Sequence, residues 1–268
     1  MTTPLSRRDR VMATVAGDDV DRPPMSFWGH FYDREQTAQD LAEATLAFRA
    51  RYDWDFVKLN PRASYHGEGW GLAYRYDGDP LHKPVRTSYP VTSPGDLAKI
   101  EALPGDHGAL GEQLEAIRLV RQGLPDDVLL IETVFSPLAV LADLCEHTQA
   151  TQRLLAEDPQ SVTRAVDAIT RTFEDFVPRA LDAGADGIYF ATVEWATKDR
   201  GWSAEDYRAF ASPFDRRVMA KAEGAAFNVL HVCRPRNYLP ALADYPVAAF
   251  SWAATEDGNL SLAEAQRG

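Results

Sequence analysis

Short apolar runs and longer amphipathic stretches alternate along most of this chain. The run over 128–135 (Val128-Leu129-Leu130-Ile131-Glu132-Thr133-Val134-Phe135) has the length and β-branched content of a strand buried on both faces. Similar, shorter runs over 25–28, 56–60, 184–191, 227–232 and 247–252 predict five more strands. Between them the apolar positions switch to helical spacing. Leu41, Ala44, Thr45 and Phe48 form one stripe of a helix over 37–52, with charges opposite. Further helices are predicted over 6–16, 112–122, 137–146, 149–156, 160–182 and 203–224, with a last one starting near Ser261. Ser6 and Ser203 are the expected N-caps, and Gly17 follows the last turn of the first helix. The stretch over 72–104 breaks the rhythm and reads as a β-ribbon insertion.

Regular strand–helix alternation implies a parallel sheet with helices outside it. Such a series either closes as a (β/α)₈ TIM barrel or stays open as a doubly wound sheet. No G-x-G-x-x-G turn follows the first strand, which favours the barrel. Six strands are two short of closure. The expectation is therefore one α/β barrel domain over 1–268 lacking its last two strands, open between 25–28 and 247–252 with apolar residues uncovered there.

The formal charge of −12 and pI near 4.9 argue against a nucleic-acid-binding surface, which needs a basic stripe. Two cysteines, Cys145 and Cys233, do not make a disulfide framework. No run approaches the roughly 18 apolar residues of a membrane span, and Arg7, Arg8 and Arg10 are not followed by the apolar segment of a secretory signal. A cytoplasmic protein is expected, without a nucleic-acid or membrane partner.

Candidate chemistry concentrates in Phe227-Asn228-Val229-Leu230-His231-Val232-Cys233. Residues two apart on a strand share a face, so an imidazole and a thiol converge at its C-terminal end. Both are ligand types that zinc prefers. A buried cysteine is also an ordinary small hydrophobe, which is the reading for Cys145.

The order and spacing of several segments resemble the uroporphyrinogen decarboxylase family in its broad sense, which includes cobamide-dependent methyltransferases. Asp21-Arg22-Pro23-Pro24 after the opening helix resembles the family's entry into its first strand. Tyr52-Asp53-Trp54-Asp55-Phe56-Val57-Lys58 resembles its second strand, Gly184-Ala185-Asp186-Gly187 its fourth, and 247–252 the strand carrying a Ser-Trp or Asp-Trp pair. Leu230-His231-Val232-Cys233 resembles the histidine-x-cysteine zinc motif of the methyltransferase branch. The resemblance implies zinc at His231 and Cys233, a thiol substrate, and a corrinoid methyl donor carried on a partner protein. In that branch a third ligand, a cysteine, lies past the position matched by Gly268. The decarboxylases carry an arginine-rich run after the first strand, where this chain has Met25-Ser26-Phe27-Trp28-Gly29-His30-Phe31-Tyr32. They also carry an aspartate after the second strand, where it has Leu59-Asn60-Pro61-Arg62.

A barrel's active site lies at the C-terminal ends of its strands, which groups His30, Asn60, Arg62, Tyr65, His66, Glu194 and the His231/Cys233 pair around one mouth. His30, Arg62 and Tyr65 are the candidate catalytic residues. His30 is a general base or a structural histidine, and Arg62 a carboxylate or phosphate clamp or a surface ion pair. Glu194 is a further candidate metal ligand. Trp28, Trp70, Trp195 and Trp252 could line a pocket for a planar ligand, and Lys58 and Glu132, inside neighbouring strands, could pair with each other. Three functions follow: zinc-assisted methyl transfer from a corrinoid to a thiol, decarboxylation of uroporphyrinogen III in tetrapyrrole biosynthesis, or a non-catalytic barrel that binds a tetrapyrrole or a partner.

Overall fold

The structure is a computed structural model that describes residues 4–146 and 148–267. Helices α1 (Arg7–Ala16) and α2 (Ala38–Tyr52) lead to strand β1 (Phe56–Leu59). An antiparallel ribbon of β2 (Ala73–Arg75) and β3 (Val85–Ser88) follows, then helix α3 (Ala109–Gly123) and strand β4 (Leu129–Phe135). Helices α4 (Pro137–Leu144), α5 (Thr148–Glu157) and α6 (Pro159–Asp182) precede β5 (Gly187–Ala191). Helices α7 (Ala204–Phe210) and α8 (Ser212–Ala220) precede β6 (Val229–His231). Strand β7 (Ala249–Ser251) and the short α9 (Leu262–Ala265) complete the described elements.

The caps are where the side chains predict them. Ser6 accepts from the Asp9 N–H at 3.1 Å, and Gly17 closes α1 at φ +78°. The helix expected over 203–224 is two. It divides at Ala211, because Pro213 has no N–H to donate to the preceding turn.

Five strands pair in parallel in the order β1-β4-β5-β6-β7. Apart from the ribbon this is chain order, with no reversal, so the winding is that of a barrel wall and not of a doubly wound sheet. The sheet curls into a half-barrel. Strand spacing in a flat sheet would hold β1 and β6 about 14 Å apart. Yet the ring of Phe56 on β1 meets that of Phe227, just before β6, with centroids 5.2 Å apart. The outer face packs Leu130, Val134, Ile188, Phe190 and Leu230 under the helices, and the inner face clusters Leu129, Ile131, Tyr189 and Val229 with Val11 of α1.

Two expectations are corrected here. Residues 25–28 are not a strand, so the sheet has five strands where six were expected, and no eight-stranded closure forms among the described residues. The segment does run beside the free edge of β1: the Asp55 N–H donates to the Met25 carbonyl at 2.9 Å, and the Ser26 hydroxyl to the Phe56 carbonyl at 2.7 Å. One backbone bond is too little for a ladder, and Pro23 and Pro24 remove two donors just before it. Between this edge and β7 the inner face opens, with Met25, Phe27, Trp28, Phe250, Trp252 and Leu262 around a gap of about 480 Å³.

The second correction concerns Lys58 and Glu132, which alternation places on opposite faces. Lys58 pairs in register with Ile131 and points into the curl, whereas Glu132 points to the helices and accepts from Gln113 Nε2 at 3.0 and 3.1 Å. Among the described residues no helix is long and apolar enough to cross a membrane.

Candidate functional site

Two groups of polar side chains lie at the C-terminal ends of the strands. The first is inside the curl. Lys58 of β1 directs its ammonium onto the rings of Tyr189, 4.7 Å to the centroid, and Trp28, 5.3 Å, while its Nζ donates to Asn60 Oδ1. Burial lowers the Lys58 pKa to about 7, against the opposing pull of Glu132 and Cys233. The Tyr189 ring stacks on His231 at 5.2 Å, and its hydroxyl lies 3.2 Å from Ser251 Oγ.

His231 Nδ1 is 3.1 Å from the Ser251 carbonyl and 3.0 Å from the Ser251 hydroxyl. A carbonyl accepts only, so this contact fixes the N–H on Nδ1 and leaves the Nε2 lone pair bare. Burial, with Lys58 nearby, lowers the His231 pKa to about 4, so the ring is neutral near pH 7. Burial pushes the Cys233 thiol up to about 11; Arg234, the Val193 N–H and Lys58 pull the other way. Cys233 follows two residues after His231, beyond the end of β6, and Lys58 acts on both groups.

The second group lines a cavity of about 510 Å³ over the ends of β4 and β5. His66 Nε2 is 2.8 Å from Asp143 Oδ2, and Arg86 holds the other oxygen of that carboxylate. Glu194 takes Arg200 on one oxygen, at 2.5 Å, and Arg234 on the other. Lys83, Glu146 and His30 complete the polar rim. The loops after β5 and β6 carry non-glycine residues with left-handed backbone, Val193 at φ +54° and Arg234 at φ +75°. For a β-branched residue this is an outlier, of the kind that surrounding structure must hold in place.

The other sequence candidates lie as follows. His30 reaches the cavity rim with Nδ1 2.9 Å from Glu35 Oε2. Arg62 does not face the cavity: its guanidinium is bound at 2.6–3.0 Å by both Glu68 and Glu112. Burial opposes the charge on Arg62, but those two carboxylates hold its pKa above the ordinary value. Tyr65 is in the core, its hydroxyl donating to the Thr133 carbonyl, out of reach of the mouth. Glu194, expected as a metal ligand, has both carboxylate oxygens on arginines. Among the described residues no three His, Cys, Asp or Glu side chains converge as a metal site. Trp70 donates to the Glu101 carbonyl and Trp252 to that of Leu260, and Trp195 is fully buried against Trp202. Cys145 is buried in the core as expected. Arg86 of β3, Asp143 of α4, and Arg200 and Arg234 after β5 and β6 were not singled out in the sequence.

The profile of the family described as Uroporphyrinogen decarboxylase (URO-D) matches residues 6–267. Among curated relatives, the uroporphyrinogen decarboxylase of Chlorobium phaeovibrioides is 30% identical over 138 residues, 49% of this chain and 38% of that one. That of Idiomarina loihiensis is 21% identical over 245 residues, covering 82% of this chain and 65% of that one. The chain thus spans less than two thirds of the length of these relatives. Among solved structures, a methyltransferase from Methanosarcina mazei superposes with a TM-score of 0.78 at 21% identity, over 92% of this chain and 76% of that one.

Proposed function

Because the chain belongs to the uroporphyrinogen decarboxylase family, we propose that it serves an enzyme of the methyltransferase-like branch, moving a methyl group from a corrinoid on a partner protein to a substrate thiol. The observation that supports this reading is His231 stacked on Tyr189 at the end of β6, with Cys233 two residues on and Lys58 acting on both. The solved methyltransferase with the same fold is consistent with it.

The side chains fit zinc at two positions. His231 offers Nε2, with Nδ1 held by Ser251 in the way that outer partners orient metal-bound imidazoles. Cys233 is the second ligand, and its neighbours Lys58, Arg234 and the Val193 N–H all favour the thiolate that a metal requires. Glu194 would join only by leaving Arg200 and Arg234, so this chain supplies two ligands of the proposed site. Zinc bound there would hold a substrate sulfur and lower its pKa.

The test is zinc affinity by competition with a chromophoric chelator, together with methylcobalamin-dependent methylation of small thiols. Cys233→Ser and His231→Ala should each weaken zinc binding at least about tenfold. Wild-type protein that binds zinc no better than these variants would remove the basis of the reading.

The curated relatives favour a second reading, uroporphyrinogen decarboxylation. It needs cations to hold the substrate's carboxylates. Arg62, after β1, is already bound to two glutamates, Arg34 to Glu43, and Lys58 is buried against Trp28 and Tyr189. Purified protein is expected not to convert uroporphyrinogen to coproporphyrinogen, and conversion abolished by Arg62→Ala would reverse the ranking. Inactivity in both assays together with tetrapyrrole binding would favour the third reading, a binding protein.

A further inference from the structure

We propose that the 510 Å³ cavity over β4 and β5, whose wall residues Val193, Glu194 and Arg234 adjoin Cys233, is a binding site for a small hydroxycarboxylate. Charge is the first argument. In a chain of formal charge −12, the cavity collects four cations, Lys83, Arg86, Arg200 and Arg234, against three carboxylates, Asp143, Glu146 and Glu194. Arg200 and Arg234 share the single carboxylate of Glu194, and Lys83 has no ion-pair partner among the described residues. This leaves positive charge at the wall for an incoming carboxylate, which guanidinium groups bind in bidentate fashion.

The second argument is what the wall leaves unsatisfied. Trp195 Nε1 and Arg200 Nε are buried donors without an acceptor, and both residues line the cavity. Buried polar atoms are seldom left so, and each calls for an acceptor such as a ligand oxygen. His66 adds the complementary need. Its Nε2 is committed to Asp143, which leaves Nδ1 without a partner. That Nδ1 is buried and unpartnered in a side chain only 3% exposed. Unpartnered polar atoms on three wall residues, beside an excess of cations, describe a ligand with a carboxylate and a hydroxyl, whose O–H both donates and accepts.

The third argument is backbone. Val193 and Arg234, the residues whose left-handed φ angles position Glu194 and the Arg234 guanidinium, both line the cavity. Strain of this kind gathers at ligand clamps. The volume is in the range of pockets for small molecules.

The test is calorimetric titration of the whole chain with L-malate and with succinate, which lacks the hydroxyl. Malate should bind saturably and about tenfold more tightly than succinate. Lys83→Ala and Arg234→Ala should each weaken malate about tenfold or more, and His66→Phe should erase its advantage over succinate. Lys83 is exposed, so its variant tests the charge argument even where others unfold. Malate should bind equally well with and without a zinc chelator present, which separates this site from the zinc reading. No saturable binding at about 10 mM malate, equal affinity for succinate, or unchanged binding in both charge variants would overturn the assignment.

Discussion

The ammonium of Lys58 lies 4.7 Å from the centre of the Tyr189 ring, two strands away, inside the curl of the sheet. A buried lysine against an aromatic face keeps some electrostatic favour but loses most of its hydration. Burial, opposed by Glu132 and Cys233, lowers its pKa to about 7, against 10.5 in an ordinary environment.

Stability should therefore rise with pH through a window where most proteins are flat. Below about pH 7 Lys58 is charged in both states, and the full desolvation penalty is present. Between that pH and 10.5 the folded chain sheds a proton that the unfolded chain keeps, so raising pH favours folding, by up to roughly 5 kcal/mol. Urea unfolding at pH 7 and pH 9 checks this. Lys58→Met should be more stable than wild type at pH 7 and should lose the slope; an unchanged slope would assign it to other groups.

Asp215 predicts the opposite trend at lower pH. Its carboxyl is fully buried, bound by the Tyr207 hydroxyl at 2.7 Å and that of Tyr245 at 3.1 Å. Burial outweighs these bonds and raises its pKa from 3.8 to about 6. The favourable contribution of its proton is complete below pH 3.8 and is lost as pH rises through 6, amounting to roughly 3 kcal/mol. Asp215→Asn should remove that dependence and raise the melting temperature at pH 7.5. A variant that melts lower across the whole range would show that the charge is needed.

Gly187 opens β5 where a Cβ would sit 2.2 Å from the Phe227 carbonyl oxygen. Backbone cannot swing aside as a side chain does. Gly187→Ala should lower stability by about 3 kcal/mol and weaken hydrogen-exchange protection across β5 and β6. Loss of less than about 1 kcal/mol would mean that the two strands separate more easily than their packing implies.

Arg62→Ala strands Glu68 and Glu112 together beside α3. It should lower stability by about 1–3 kcal/mol while leaving zinc affinity unchanged. A zinc affinity that falls with Arg62 would tie this ion-pair cluster to the inner site and not to the scaffold alone.

Much of the scaffold was legible in the chain. Strands β4, β5 and β6 announce themselves because parallel strands covered on both faces need continuous apolar residues. The caps at Ser6 and Ser203 are equally local. Residues 25–28 look as apolar as a strand, yet only one backbone bond joins them to the edge of β1, and that is not a property of their own sequence. Lys58 and Glu132 read alike as charges inside strands. Only the direction of curl decides that one enters the lumen and the other meets Gln113. Arg62 reads equally as clamp or ion pair until α3 brings Glu112 to it from 50 positions away. Likewise Arg86 meets Asp143 across 57 positions, and Arg234 meets Glu194 across 40. Local sequence determines which residues extend, coil or cap, because those choices are settled within a few bonds. Which charges are neutralised, and which are left for a ligand, depends on long-range neighbours that only the closed chain supplies.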